Sequence, residues 1–287
     1  MTRPTSEWLN AQYNNRARVS DYAQIFERWA VASALARERS LCHTDLSYGP
    51  DTAETLDVFT TPRANAPVLV FIHGGWWRSL DKSDHSFIAP AFAQAGALVV
   101  VPNYALCPAV TIETITLQMV RALVWVHRNA ARYGGDPSRI VVAGHSAGGH
   151  LAAMLLSCRW QDVGHGLPAH LVRSGLSISG LFDLEPLRRT PYLQVDLRLT
   201  RAAVAKLSPA GFACPVGTLY ATVGADESEE FLRQNQLIRS AWGADAVPVC
   251  EAIAGEHHLS VLHGLADPDA RLHALALDLL GLSPASR

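Results

Sequence analysis

The segment that most constrains this chain is Arg139-Ile-Val-Val-Ala-Gly-His-Ser-Ala-Gly-Gly-His150, where an unbroken apolar run enters a serine flanked by glycines and leaves into a helix-forming stretch. A run with no polar alternation reads as a strand covered on both faces, which occurs in parallel sheets with helices on either side. Similar strand-like runs lie near Thr55–Thr60, Val68–Ile72, Leu98–Val101, Leu176–Ile178, Thr218–Val223 and Val247–Ile253. Helix-like segments alternate with them near Ser83–Ala95, Ile112–Arg132, Ala147–Cys158, Glu229–Trp242 and Asp269–Leu280. Repeated strand–helix order implies right-handed crossovers, so the expected class is α/β with a mostly parallel, doubly wound sheet. Reactive groups in such sheets sit on loops beyond the carboxyl ends of the strands.

The 287 residues carry no repeat and no long linker, and we expect a single domain over 1–287. Residues 1–40 read as helical decoration, with Trp8, Leu9 and Tyr13 on one face. A stronger helix follows from Asp21, its cap, to Arg39 with the stripe Ile25, Phe26, Trp29 and Leu35. These helices cover the sheet or roof a pocket. Residues 180–215 interrupt the alternation as a short insertion, too brief for a large lid.

Composition narrows the function. A net charge of −2 lacks the basic excess of a nucleic-acid binder. With 49% apolar and 17% charged residues the chain is not of the disordered class. Its apolar runs fall far short of the ~20 residues a membrane-spanning helix needs. The amino terminus has no continuous apolar core of a secretory signal, and Cys42, Cys107, Cys158, Cys214 and Cys250 show no CxxC spacing, so a cytoplasmic protein with reduced, mostly buried thiols is expected.

Gly144-His145-Ser146-Ala147-Gly148 matches G-x-S-x-G between a strand and a helix, the context in which this motif exposes a nucleophilic serine. Glycines allow close strand–helix packing, a tight turn holds Ser146 in a strained backbone geometry, and the helix begun by Ala147 directs its positive end to the reacting centre. His145 and His150 have the look of metal ligands but suit packing around the turn better. Upstream, Val68-Leu-Val-Phe-Ile-His-Gly-Gly-Trp-Trp77 runs from a buried strand into small residues. There the amides of Gly75 and Trp76, with that of Ala147, would form an oxyanion hole; losing one such donor costs about 2.7–4 kcal/mol. His73 would orient this loop, and Trp76 and Trp77 either wall a pocket or pack.

The base is expected after the last strand, in Ala254-Gly-Glu-His-His-Leu-Ser260. His257 and His258 are candidates, with His258 favoured by the glycine turn and the apolar residue behind it; His263 lies further on. The acid is expected after the preceding strand, in Gly224-Ala-Asp-Glu-Ser-Glu-Glu-Phe231, where Asp226 and Glu227 compete to orient the imidazole. Glu229 and Glu230 suit the start of the next helix. The polar loop Arg78–Ser86 touches substrate or carries an Asp or Ser helix cap.

Taken together these residues resemble the α/β-hydrolase superfamily. GHSAGGH with Gly134-Gly-Asp-Pro137 is like the hormone-sensitive-lipase-like esterases. HGGWW, Tyr104-Ala-Leu-Cys-Pro-Ala-Val-Thr111, Gly224-x-x-Glu227-Ser-x-Glu-Phe231 and Gly255-x-x-His258 are similar to the arylformamidase (kynurenine formamidase) branch and its bacterial esterase relatives, as is Gln12-Tyr13-Asn14-Asn15-Arg16. The resemblance spans about residues 45–265. It implies an α/β-hydrolase fold without a large lid and a catalytic set of Ser146, His258 and the acid. In its G-x-x-[DE] register the acid falls on Glu227 rather than Asp226, although the branch usually carries Asp there. Trp77 and Tyr104 are the expected substrate-binding residues.

The expected activity is cleavage of small carboxylic esters, aromatic or short-acyl, through an acyl-enzyme, with hydrolysis of N-formylkynurenine-like amides as the alternative. Neither a metal nor an organic cofactor is called for. The partner is a small ester or amide, not nucleic acid or membrane, and sequence does not distinguish a monomer from a homodimer. A binding module on the same scaffold would carry a disrupted triad, whereas Ser146 and His258 are both present.

Overall fold

The computed structural model describes residues 4–282. One sheet contains β1 (Cys42–Ser47), β2 (Thr55–Phe59), β3 (Ala66–Ile72), β4 (Leu98–Pro102), β5 (Gly135–His145), β6 (Ser174–Ile178), β7 (Thr218–Gly224) and β8 (Cys250–Ile253). Their order is β1-β2-β4-β3-β5-β6-β7-β8, with β4 through β8 parallel and β2 and β1 added antiparallel at one edge. β1, Cys-His-Thr-Asp-Leu-Ser, is not apparent from sequence: it is a largely exposed edge strand without an apolar face. The last strand is shorter than its apolar run, beginning only after Pro248, which lacks the N–H a ladder requires. The expected helix Ser83–Ala95 resolves into two 3₁₀ turns, Lys82–Asp84 and Ser86–Ile88, before the helix Ala89–Gln94.

The unbroken apolar runs are explained by packing on both sides. In β3, Val68, Val70 and Ile72 face one core with the helices Ile112–Asn129, Ala147–Leu156 and Glu229–Trp242. Leu69 and Phe71 face the other, with the helices Ala89–Gln94 and Arg271–Leu280. Helices α1 (Ser6–Tyr13), α2 (Asn15–Arg18) and α3 (Tyr22–Arg39) wrap from the first core to the second: Leu9 and Tyr13 lie in one, Ile25 and Trp29 in the other. Thr5 and Asn14 cap α1 and α2 through their side chains, whereas Asp21 makes no capping bond to α3 and instead lies 3.8 Å from Arg28. The buried Tyr13 hydroxyl donates to Glu230 at 2.6 Å, locking the amino-terminal helices to the end of the sheet.

Strand order then decides which loops meet. Ile72 pairs with Gly144, so the loop after β3 lies beside the turn after β5, and Gly224 pairs with Ile253, so the loops after β7 and β8 are neighbours. The β3 loop is anchored by Lys82, whose ammonium donates to Asp57 on β2 at 2.6 Å and to Asp45 at 2.8 Å. Asp57 is fully buried. Lys82→Met strands that carboxylate without a counter-charge and is expected to cost about 3–5 kcal/mol, read from the urea unfolding midpoint. Asp57→Asn in the same chain should recover part of the loss, and an unchanged midpoint in the single variant would show that the pair contributes nothing.

Candidate active site

Ser146 sits between β5 and the helix Ala147–Leu156 with φ 56° and ψ −115°, outside the ordinary regions for a residue bearing a Cβ. Such geometry costs of order 1–3 kcal/mol and persists only when its surroundings enforce it. Its amide donates to the Ile178 carbonyl at 2.8 Å. At Gly144 a Cβ would overlap the Gly148 carbonyl, and at Gly148 the Ile72 carbonyl, so the turn closes only with glycine at both positions.

The three loops meet at this serine. His258 Nε2 lies 3.1 Å from Ser146 Oγ, and its Nδ1–H donates to Glu227 Oε2 at 2.6 Å. The other oxygen, Oε1, accepts from the Gly224 amide at 2.8 Å and from the Ser179 hydroxyl. Asp226, the competing acid, is exposed and has no contact with the imidazole; its backbone amide donates to the Glu256 carbonyl. The turn after Gly224 aims Asp226 to solvent and returns Glu227 to the interior, where the extra methylene reaches His258.

The other histidines hold the scaffold. His145 Nε2–H donates to the His258 carbonyl at 2.7 Å, and burial together with His258 holds its ring neutral. His150 bonds the Leu207 carbonyl at 2.8 Å, and burial lowers it to about 4. His257 Nδ1 accepts the Leu259 and Ser260 amides, capping the turn that follows, and His263 accepts the Trp29 indole N–H at 2.9 Å.

Gly75, Trp76 and Trp77 have successive positive φ values of 100°, 55° and 54°. A Cβ on Gly75 would overlap the Ser79 carbonyl. Among the described residues no group accepts a hydrogen bond from the amides of Gly75, Trp76 or Ala147. Three unpaired donors around one serine are unusual, because buried N–H groups are nearly always satisfied.

Two residues expected to touch substrate lie behind the cleft wall in this structure. Tyr104 is buried against this loop: its ring stacks on His73 at 4.2 Å, and its hydroxyl donates to the His73 and Gly74 carbonyls at 2.9 and 3.1 Å. It props the β3 loop. Trp77 is fully buried and packs edge-on against His150 at 5.0 Å, while Trp76 faces the cleft.

The cleft above Ser146 is narrow, about 40 Å³, and is walled by Phe26, Trp29, Trp76, Leu80 and Leu259. Asn15 and Arg16 complete its rim. The amino-terminal helices are therefore a roof as well as a cover. Phe26 and Trp29 were visible as a stripe, but a stripe does not say which cavity it closes. In the loop Arg78–Ser86, Ser79 and Leu80 border the cleft and Asp81 caps the 3₁₀ turn with a reciprocal bond to Asp84.

Residues 56–162 match the BD-FAE family. Over 267 residues the chain is 30% identical to the kynurenine formamidase of Danio rerio, covering 88% of each. It is 44% identical to the carboxylesterase NlhH of Mycobacterium tuberculosis, but over only 36% of this chain and 32% of that one. A solved structure from Silicibacter sp. TM1040, described as a candidate thioesterase, is 31% identical with a TM-score of 0.80, covering 96% of this chain and 99% of that one. With a mostly parallel sheet, a serine at the strand–helix turn and likeness that runs nearly end to end, the chain belongs to the kynurenine formamidase family of α/β-hydrolases.

Proposed function

We propose that this hydrolase removes a short acyl group from an aromatic alcohol or amine through an acyl-enzyme intermediate. The observation that carries the reading is the unbroken relay Ser146–His258–Glu227 on the floor of an aromatic cleft, beside three unpaired amides. His258 Nε2 takes the Ser146 proton as Oγ attacks the carbonyl carbon. Negative charge grows on the carbonyl oxygen and is met by the Gly75, Trp76 and Ala147 amides, donors already oriented before the reaction. As the carbon–heteroatom bond breaks, His258 delivers its proton to the departing oxygen or nitrogen. Water, deprotonated by the same nitrogen, then attacks the acyl carbon, and the carboxylic acid leaves as Ser146 regains its proton. Glu227 holds Nδ1–H so that Nε2 faces the serine.

The small volume around Ser146 supports a formyl or acetyl donor, with the aromatic part against Phe26 and Trp29. Esters are the first reading. Formamides are the second, favoured by likeness to a kynurenine formamidase over 88% of the chain where the carboxylesterase match covers 36%. Comparing kcat/KM for phenyl acetate and N-formyl-L-kynurenine tests both. Faster ester turnover is the expected result, a larger value for the formamide selects the second reading, and inertness towards both overturns the proposal.

A further inference from the structure

Among the described residues, none of the insertion 180–215 borders the cleft over Ser146. The insertion nevertheless reaches the loop that carries two of the three unpaired amides. That loop runs through Gly75, Trp76 and Trp77 with φ values of 100°, 55° and 54°, a conformation that tryptophan rarely adopts and that its surroundings must enforce. Within the loop, the Arg78 amide and the Ser79 hydroxyl both donate to the Gly75 carbonyl at 3.0 Å. From outside, the Cys107 amide donates to the Trp77 carbonyl at 2.8 Å. A further brace is the Arg78 side chain. Its Nη1 donates to Asp196 Oδ2 at 2.5 Å and to the Tyr192 carbonyl at 3.1 Å, and its guanidinium lies 4.4 Å from the centre of the Tyr192 ring. Both partners belong to the helix Pro191–Leu197 of the insertion, whose Leu193 and Leu197 are buried in the same core as Trp76 and Trp77.

We infer that Arg78 is a positioning residue for acyl transfer: clamped by Tyr192 and Asp196, it fixes the left-handed run that aims the Gly75 and Trp76 amides at the oxyanion. This rests on the acyl-transfer reading above. A preorganised donor stabilises charge only while it is held in place, and a displacement of about 1 Å can cost 10²-fold in rate. Most exposed ion pairs contribute little, because water screens them and both side chains lose freedom in pairing. Here the Arg78 and Asp196 side chains are only 16% and 30% exposed, and the guanidinium makes all three contacts to one helix. A planar fork stacked on a ring is held more firmly than a lone point charge. The insertion thereby buttresses the oxyanion loop instead of covering the cleft.

The test combines phenyl acetate turnover with inhibition by 2,2,2-trifluoroacetophenone. Ser146 Oγ adds to the carbonyl carbon of that ketone as His258 takes the hydroxyl proton, and the carbonyl electron pair ends on an oxyanion facing the same amides. Arg78→Met keeps the apolar stem. It should lower kcat about tenfold to thirtyfold with KM within about twofold, short of the 10²- to 10³-fold of a donor lost outright. The inhibition constant should rise by a factor similar to the fall in kcat/KM, because the adduct mimics the transition state. Asp196→Asn should lose about threefold to tenfold, and adding it to Arg78→Met should cost little more, because the pair acts as one unit. Arg188→Gln, which breaks a different ion pair of the insertion, should stay within about twofold. A merely structural brace would lower the urea midpoint and leave kcat and the inhibition constant unmoved; that result overturns the role. A double-variant loss equal to the product of the single losses overturns it too, as does a loss in Arg188→Gln matching that in Arg78→Met. Should Arg78→Met fail to fold, Asp196→Asn at the rim of the clamp carries the same comparison. Wild-type turnover with insensitive variants leaves the acyl-transfer reading intact, whereas a wild-type chain inert towards phenyl acetate overturns that reading and the role with it.

Discussion

Ser146→Ala is expected to lower kcat for p-nitrophenyl acetate by roughly 10⁴- to 10⁶-fold while leaving a folded protein. The size follows from the proposed chemistry: on that mechanism no acyl-enzyme forms without Oγ, and only the amides and the cleft can still assist water. Folding should survive because the hydroxyl's hydrogen bond is to His258, and alanine keeps the backbone geometry that Gly144 and Gly148 enforce. Turnover by steady-state kinetics and melting by circular dichroism provide the two readouts. Activity within tenfold of the wild type, with melting unchanged, would remove Ser146 from the reaction.

The second large effect is at the acid. Glu227→Gln is expected to cost about 10³- to 10⁴-fold in kcat. Three donors converge on this buried carboxylate: the Gly224 amide, the Ser179 hydroxyl and His258 Nδ1–H. An ionised carboxylate accepts from all three, whereas a glutamine must turn its own NH₂ towards one of them. If it faces His258, the imidazole shifts its proton to Nε2 and can no longer accept from Ser146. Asp226→Asn, an exposed position, is expected to stay within twofold, a bound of order the usual surface effect. Large loss in Asp226→Asn with little in Glu227→Gln would reverse the assignment of the acid.

Much of this arrangement is legible in the sequence because it is local. A continuous apolar run announces a strand covered on both sides, and Gly144-His-Ser-Ala-Gly148 specifies its own turn because no larger residue fits beside Gly148 or Ile72. The histidine is legible for the same reason, being the apolar-backed member of a pair that follows the last strand. The burial of Tyr104 and Trp77 was not legible, because sequence reveals that an aromatic lies near a site but not which way its Cα–Cβ bond points. Trp77 packs against His150 in the core, and Tyr104 stacks against His73.

What the chain determined alone was the set of parts: a parallel sheet, a serine at a forced bend, a donor-rich glycine loop and a late histidine. Tertiary structure decided which carboxylate bonds that histidine, since a turn points Asp226 outward and Glu227 inward once β7 and β8 pair. It also decided that helices from the first forty residues close the cleft, through the bond between Tyr13 and Glu230, 217 positions apart. The division has one physical cause. Sterics and hydrophobic pattern act between neighbours in sequence, whereas the aim of a side chain and the closing of a cavity depend on distant segments meeting.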